Sequence, residues 1–150
     1  YDSFSGEFNE WRHLFHGHTF TGNPIAAAVA NKNIKMYQKN NLIKKIQKTS
    51  KIFTNFQKEM LEINIVGDIR HKGMLMGIEL VSDKSKKIPI KPKKSINKIF
   101  FEEGKKQGIY LRTLGNIVML VPPLAITEKE LNLLLNKTIK TIKNAAPQVV

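Results

Sequence analysis

Residues 16–24 form a polar, glycine-containing loop that leads directly into an alanine-rich segment, and this junction constrains the fold more than any other stretch. Asn23 is a good helix N-cap, and Pro24 suits the first helical position. The small residues 25–30 favour a closely packed helix. A loop that ends at a helix N-terminus offers free N–H groups and partial positive charge, to which Thr19 and Thr21 add hydroxyls. The pattern predicts either an ordinary capped helix or an anion-binding loop.

Composition is compatible with one globular domain. The chain has 150 residues, of which 41% are hydrophobic, and no cysteine, so neither a disulfide framework nor a thiolate metal site is available. It shows no apolar run long enough for a transmembrane helix and no signal-peptide pattern. We therefore expect a cytoplasmic protein with no membrane partner.

The formal net charge of +13 makes nucleic acid a candidate partner. The lysines, however, are scattered along the helical segments among many Asn and Ile residues rather than focused in one patch. We expect no nucleic-acid partner, and a basic nucleic-acid-binding module remains the alternative from another functional class.

Helical periodicity dominates the segment after the loop. A first helix is predicted over 24–38, with a break at Asn40 and Asn41. A single second helix is predicted to carry one apolar face, comprising Leu42, Ile46, Phe53, Phe56 and Met60. The lysines of this helix are predicted to be solvated, namely Lys44, Lys45, Lys48, Lys51 and Lys58.

Strand-like patterns follow in the middle of the chain. Residues 65–70 and 74–81 predict two strands around a turn at Lys72 and Gly73. Gly77, inside the second strand, suggests a bulge or a close backbone approach. The Lys- and Pro-rich stretch 82–94 is predicted to be an exposed connection.

The last third repeats the alternation of helix and strands. Ser95 caps a predicted helix to residue 107, with Ile96, Ile99 and Phe100 facing inward and Gly108 ending it. Residues 109–112 and 116–121 predict strands joined at Leu114 and Gly115.

Thr127 and Glu130 form a capping box for a last helix, which is expected to fray from Ala145. Its predicted buried residues are Leu131, Leu134, Leu135, Thr138, Ile139 and Ile142. The layout predicts an α+β fold, in which helices pack on one face of a small, mainly antiparallel sheet.

Three motifs carry a family resemblance. HGHTFTGNPIAAAVA (16–30) closely resembles the segment after the Schiff-base lysine of class III aminotransferases, which are fold-type I enzymes that use pyridoxal 5'-phosphate. KGMLMGIEL (72–80) is similar to a hairpin of their small C-terminal domain. YLRTLGN (110–116), followed by PPL (122–124), is similar to their carboxylate-binding arginine loop.

The resemblance implies a division of the chain into three segments. Residues 1–23 would be the interface and cofactor-phosphate loop of the large domain, 24–40 a connecting helix, and 41–150 the small C-terminal domain. Aromatic residues at helix-like intervals in the first segment are expected at a subunit interface or in a core, and the resemblance favours the interface: Phe4, Phe8, Trp11 and Phe15.

The resemblance also implies site roles. Thr19 would hold the cofactor phosphate with help from the N–H of His18, across a homodimer interface. Gly17 would line the acceptor site, and Arg112 would bind the acceptor carboxylate as a bidentate partner. A surface salt bridge is the alternative for Arg112.

Two neighbouring histidines, His16 and His18, look like a metal pair or an acid/base pair. Neither a third ligand nor a carboxylate partner is near them in sequence, so we expect a structural or supporting role and no metal. His13 and His71 carry no functional argument.

The family's Schiff-base lysine belongs upstream of residue 16, so this chain is expected to be part of a longer protein and inactive alone. The flanking histidines and aromatics look most like the branch that transfers an amino group from S-adenosylmethionine to 8-amino-7-oxononanoate in biotin biosynthesis. Another ω-aminotransferase, acting on 4-aminobutyrate, ornithine or lysine-like donors, is the alternative within the family.

Overall fold

The computed structural model describes residues 1–14, 16–91 and 95–149. The chain divides into two compact units, Tyr1–Leu42 and Ile43–Val150, and each is described by itself. Among the described residues, no helix combines the length and apolar character needed to cross a bilayer.

The first unit contains two short 3-10 turns, Asp2–Phe4 and Phe8–Glu10, and one long helix, α1 (Pro24–Lys39). The helix is confirmed within one residue of its predicted end, and Asn40 is its C-cap. No residue of α1, all of which the structure describes, is buried within this chain. Most of the stability of a helix in a protein comes from packing one of its faces against other elements, and α1 buries no residue in such packing among the described residues.

The described residues from Leu42 onward form four helices and five strands. The helices are α2 (Leu42–Thr49), which begins at the unit boundary, α3 (Lys51–Leu61), α4 (Ile96–Lys106) and α5 (Glu128–Val149). The strands are β1 (Val66–Lys72), β2 (Leu75–Asp83), β3 (Ile88–Pro89), β4 (Arg112–Leu114) and β5 (Ile117–Leu120). The sheet order is β1-β2-β5-β4, β3 pairs with β2, and every pairing of these strands is antiparallel.

The sheet buries one face and leaves the other open. Ile69, Ile78, Val118 and Thr113 lie opposite one another across four strands, and all are buried. They join one core with α3, α4 and α5, to which Phe53, Phe100 and Leu135 contribute. The prediction of an α+β fold with helices on one face of a small antiparallel sheet is therefore confirmed.

The single helix predicted after Asn41 is wrong, because Ser50 separates α2 from α3. The Ser50 hydroxyl donates to the carbonyl of Gln47 at 3.2 Å, and the Phe53 N–H donates to the Ser50 carbonyl at 3.1 Å. Serine competes for backbone groups in this way and interrupts regular helices. The apolar periodicity continues across the break, which is why the sequence gives little sign of it. All five lysines predicted to be solvated are exposed.

Parts of the strand prediction also differ from the structure. The stretch 82–94 is not wholly an exposed connection, since Ile88–Pro89 pairs with β2 and Ile90 is buried; residues 92–94 lie outside the described part. The strand predicted over 109–112 begins only at Arg112, with Gly115 and Asn116 in the turn. A Cβ at Gly77 would lie 3.3 Å from Cγ2 of Ile117, so the approach there is close. Gly77 is not at a bulge, since the register shifts in the pairings of β2 lie between Val66 and Asp68 and between Val81 and Asp83.

The end of α5 does not fray at Ala145 as predicted. Ala145 is fully buried and Val149 is 3% exposed. These residues continue the apolar face of Ile142 at spacings of three and four, so the helix gains burial by continuing to Val149. The capping box at its start is confirmed, with the Thr127 N–H donating to Glu130 at 2.9 Å and the Glu130 N–H donating to the Thr127 hydroxyl at 3.2 Å.

Candidate functional site

The loop before α1 is closed by a turn over residues 18–21. The His18 N–H donates to the hydroxyl oxygen of Thr21 at 2.9 Å, and the Thr21 N–H donates back to the His18 carbonyl, also at 2.9 Å. A second turn follows, in which the Asn23 N–H donates to the Phe20 carbonyl at 3.1 Å. Gly22 has φ of +79°, a conformation that glycine adopts without steric cost.

The loop ends at the capped N-terminus of α1, as predicted. The side-chain oxygen of Asn23 accepts a hydrogen bond from the Ala26 N–H at 3.0 Å, and Pro24 occupies the first helical position. Pro24 has no N–H, and the N–H groups of Ala26 and Ala27 are bonded to Asn23, so the Ile25 N–H is the one donor of the first turn without a partner among the described residues. That N–H and the helix dipole favour a negatively charged ligand beside the loop.

Thr19 and Gly17 are both exposed in this loop. Among the described residues, neither the hydroxyl nor the N–H of Thr19 has a hydrogen-bond partner. A Cβ built on Gly17 would find no atom within 4 Å. Thr19 therefore presents one hydroxyl and one amide with no partner among the described residues, two positions after a residue that has no side chain.

The neighbouring histidines pack on each other. The rings of His16 and His18 lie edge to face with centroids 4.8 Å apart. Over the described ranges, no group of three or more His, Cys, Asp or Glu side chains could hold a metal ion.

Three aromatic residues of the set expected at an interface or in a core, Phe4, Phe8 and Trp11, are exposed, so they form no core among the described residues and the interface stays a prediction. Phe8 is 84% exposed and Trp11 is 68% exposed, although their rings lie 6.3 Å apart and both contact the ring of His13. Phe4 is 53% exposed, and Phe15 lies outside the described residues.

Arg112 begins β4, in the second unit, and lies on the open face of the sheet. A row of paired residues crosses the sheet from Arg112. Arg112 of β4 pairs with Met119 of β5, and Met119 pairs with Gly77 of β2. Gly77 pairs in turn with Arg70 of β1. Arg112 is exposed and forms no ion pair with any residue that the structure describes, so the salt-bridge alternative is not found there. Arg70, on the same face, is paired with Asp68 and Glu79 at 3.3 Å each.

Two features of these sites escaped sequence reasoning. The first is the hydrogen bond from the His18 N–H to the Thr21 hydroxyl. A threonine three positions after His18 could have indicated it, because threonine hydroxyls often bond to backbone groups at this spacing. The row that joins Arg112 to Gly77 and Arg70 depends on strand register, which the sequence did not specify.

Comparison with known proteins places the chain in a family. The aminotransferase class-III family model matches residues 5–142. The chain belongs to the class-III aminotransferase family, whose members depend on pyridoxal phosphate.

Similar curated proteins agree with this assignment. The adenosylmethionine-8-amino-7-oxononanoate aminotransferase of Methanocaldococcus jannaschii is 40% identical over 97% of this chain and 32% of its own length. The protein of that name from Geobacter sulfurreducens is 38% identical over 95% of this chain and 32% of its own length. The chain thus spans about a third of the length of these relatives.

The fold is similar as well. The crystal structure of the M. jannaschii aminotransferase superposes with a TM-score of 0.83 at 40% identity, covering 94% of this chain and 32% of that one. The small antiparallel sheet with its helices therefore matches the C-terminal part of a fold-type I aminotransferase.

Proposed function

We propose that this chain supplies the phosphate loop and the acceptor-binding arginine of an enzyme that transfers the amino group of S-adenosylmethionine to 8-amino-7-oxononanoate, giving 7,8-diaminononanoate for biotin biosynthesis. The observation that carries the proposal is 38–40% identity, over nearly the whole chain, to two relatives with that activity in their names.

The loop has the groups that a cofactor phosphate requires. Thr19 offers a hydroxyl and an N–H that have no partner among the described residues, and the capped start of α1 adds a favourable dipole. When bound, pyridoxal phosphate takes the amino group from the donor and gives it to the acceptor. Thr19 would anchor it by the phosphate. His18 would assist by its N–H only after releasing Thr21, to which that N–H is bonded.

Gly17 and Arg112 would act on the acceptor. The bare backbone at Gly17 leaves room for the substrate chain to approach. The planar guanidinium of Arg112 would bind the acceptor carboxylate through two parallel hydrogen bonds, and it has no described acidic neighbour to compete for it.

The three segments would have distinct roles. Residues 1–23 would lie at a homodimer interface, where Thr19 reaches the cofactor of the other subunit and the exposed aromatics are covered. Residues 24–40 would connect the domains, and 41–150 would be the small domain. The Schiff-base lysine would lie outside this chain, so we expect these 150 residues alone not to catalyse transamination.

The test uses the full-length gene product with pyridoxal phosphate, S-adenosylmethionine and 8-amino-7-oxononanoate. Formation of 7,8-diaminononanoate, a weaker acceptor half-reaction in Arg112→Ala and weaker cofactor binding in Thr19→Ala are expected. If cofactor binds but only 4-aminobutyrate, ornithine or lysine-like donors react, the ω-aminotransferase alternative replaces the substrates proposed. Absence of cofactor binding would overturn the proposal, and salt-sensitive binding of nucleic acid would then favour the basic-module alternative.

A further inference from the structure

Thr21 has no role in the function proposed above, yet it makes both hydrogen bonds that close the turn around Thr19. Its hydroxyl oxygen accepts from the His18 N–H, and its own N–H donates to the His18 carbonyl, each at 2.9 Å. Residues 18 and 21 are therefore fixed to each other, and Thr19 and Phe20 form the tip between them.

The groups left at the tip are donors. Among the described residues, the N–H groups of Thr19 and Phe20 have no hydrogen-bond acceptor, and the Thr19 hydroxyl has no partner. The Phe20 carbonyl is occupied by the Asn23 N–H at 3.1 Å, which fixes the orientation of the tip toward α1. A loop held in its binding conformation loses less conformational entropy when the ligand arrives.

We propose that Thr21 is a positioning residue for the cofactor phosphate: its hydroxyl holds the 18–21 turn closed, so that Thr19 and the Phe20 amide point at the phosphate before it binds. This inference rests on the proposed function of Thr19. While the turn is closed, the His18 N–H is bonded to Thr21, so the donors that the closed turn presents before the phosphate binds are Thr19 and the Phe20 amide.

Thr21 is exposed, and its side chain contributes nothing to the described core. Loss of its hydroxyl should therefore disturb the turn without unfolding the protein. Thr21→Val removes the hydroxyl acceptor while keeping the side-chain shape nearly constant, and Thr21→Ser keeps the acceptor. Thr21→Ala also removes the acceptor and serves as a second variant if the valine protein does not fold. Thr19→Val removes the direct hydroxyl contact.

The experiment measures dissociation constants of the full-length apoenzyme for pyridoxal phosphate and for pyridoxal, which lacks the phosphate, together with the exchange rate of the His18 amide. Thr21→Val should bind pyridoxal phosphate roughly three- to tenfold more weakly, bind pyridoxal as wild type does, and exchange the His18 amide faster. Thr21→Ser should restore all three values.

The outcomes separate this inference from the proposal on which it rests. If Thr19→Val weakens pyridoxal phosphate binding and Thr21→Val or Thr21→Ala does not, Thr21 has no positioning role and the phosphate loop stands. If Thr21 variants weaken both ligands equally, the effect is not on the phosphate and the inference is overturned. If Thr19→Val also binds pyridoxal phosphate normally, the proposed phosphate loop itself is wrong.

Discussion

Gln148 donates a hydrogen bond from its Nε2 to Oε1 of Glu103 at 3.0 Å, which ties the last turn of α5 to α4. The same oxygen accepts from Lys106 Nζ at 2.6 Å. Glu103 is only 5% exposed. The bond from Lys106, and after it the bond from Gln148, lowers the pKa of the Glu103 carboxyl because both donors favour its ionised form.

This lowered pKa predicts a pH-dependent stability. The ionised carboxylate favours the folded state, so its contribution is present at neutral pH and is lost as the pH falls through the folded-state pKa. Glu103→Gln should reduce the free energy of unfolding at pH 7, and the difference from wild type should shrink below about pH 4. Urea unfolding at several pH values measures both effects.

Glu102→Gln is the matched control, because Glu102 is exposed and has no partner among the described residues. It should unfold like the wild-type protein at every pH. A Glu103→Gln deficit of equal size at pH 7 and pH 3 would contradict an ionic origin.

At Gly104, helix propensity and packing have opposite effects on the stability of an alanine substitution. Alanine is favoured over glycine in a helix interior by about 1 kcal/mol. A Cβ at Gly104, however, would lie 3.0 Å from the carbonyl oxygen of Ile109, whose own N–H donates to the Gly104 carbonyl at 2.9 Å. Because that backbone is held in place, Gly104→Ala should destabilise the protein by about 1–2 kcal/mol in thermal unfolding.

An exposed substitution on the same helix separates the two effects. Lys105→Ala changes propensity with no new contact and should alter the unfolding free energy by less than about 0.5 kcal/mol. A more stable Gly104→Ala protein would mean that the chain at Ile109 moves aside at little cost.

Gly17 and Gly22, two glycines of the loop before α1, should respond differently to alanine. Gly17 has open space at its Cβ position, so Gly17→Ala should leave the unfolding free energy unchanged but lower kcat/KM for the acceptor about tenfold or more by occupying the approach. Gly22 has φ of +79°, so Gly22→Ala should cost about 1 kcal/mol of stability. Calorimetry and steady-state kinetics on the full-length enzyme distinguish the two, and a Gly17→Ala enzyme with normal kinetics would place the acceptor elsewhere.

Local signals in the sequence predicted most of the secondary structure. The Asn23 cap, the Ser95 cap and the Thr127–Glu130 box act within three residues, so each can be read from short spacing alone, and the structure has all three bonds. The break at Ser50 and the buried end of α5 depend on competing backbone bonds and on distant packing. Neither has a strong local signature.

The candidate site residues also divide into those with a local sequence signal and those whose surroundings depend on distant pairing. Gly17, His18 and Thr19 were predicted from one contiguous motif whose turn and cap are local. The surroundings of Arg112 depend on which residues of β2 and β5 lie opposite β4, and strand register is set by the assembled sheet. For that reason the motif predicted Arg112 as a candidate site residue, but only the structure shows that Arg112 lies in one row with Met119 and Gly77.

Arg70 and Arg112 provide a matched pair for the acceptor site, because they share the open face of the sheet and differ in their partners. Arg70 is held by Asp68 and Glu79, whereas Arg112 has no described acidic partner. Arg112→Gln in the full-length enzyme should lower kcat/KM for the keto-acid acceptor roughly 10- to 100-fold, since a charged hydrogen-bond partner of the carboxylate is lost. The donor half-reaction, measured as cofactor absorbance change with S-adenosylmethionine alone, should stay near its wild-type rate. Arg70→Gln should leave both half-reactions unchanged, since its charge is already matched within the sheet. Equal losses in the two variants would indicate a general effect of positive charge on this face and would remove the assignment of Arg112 to the carboxylate.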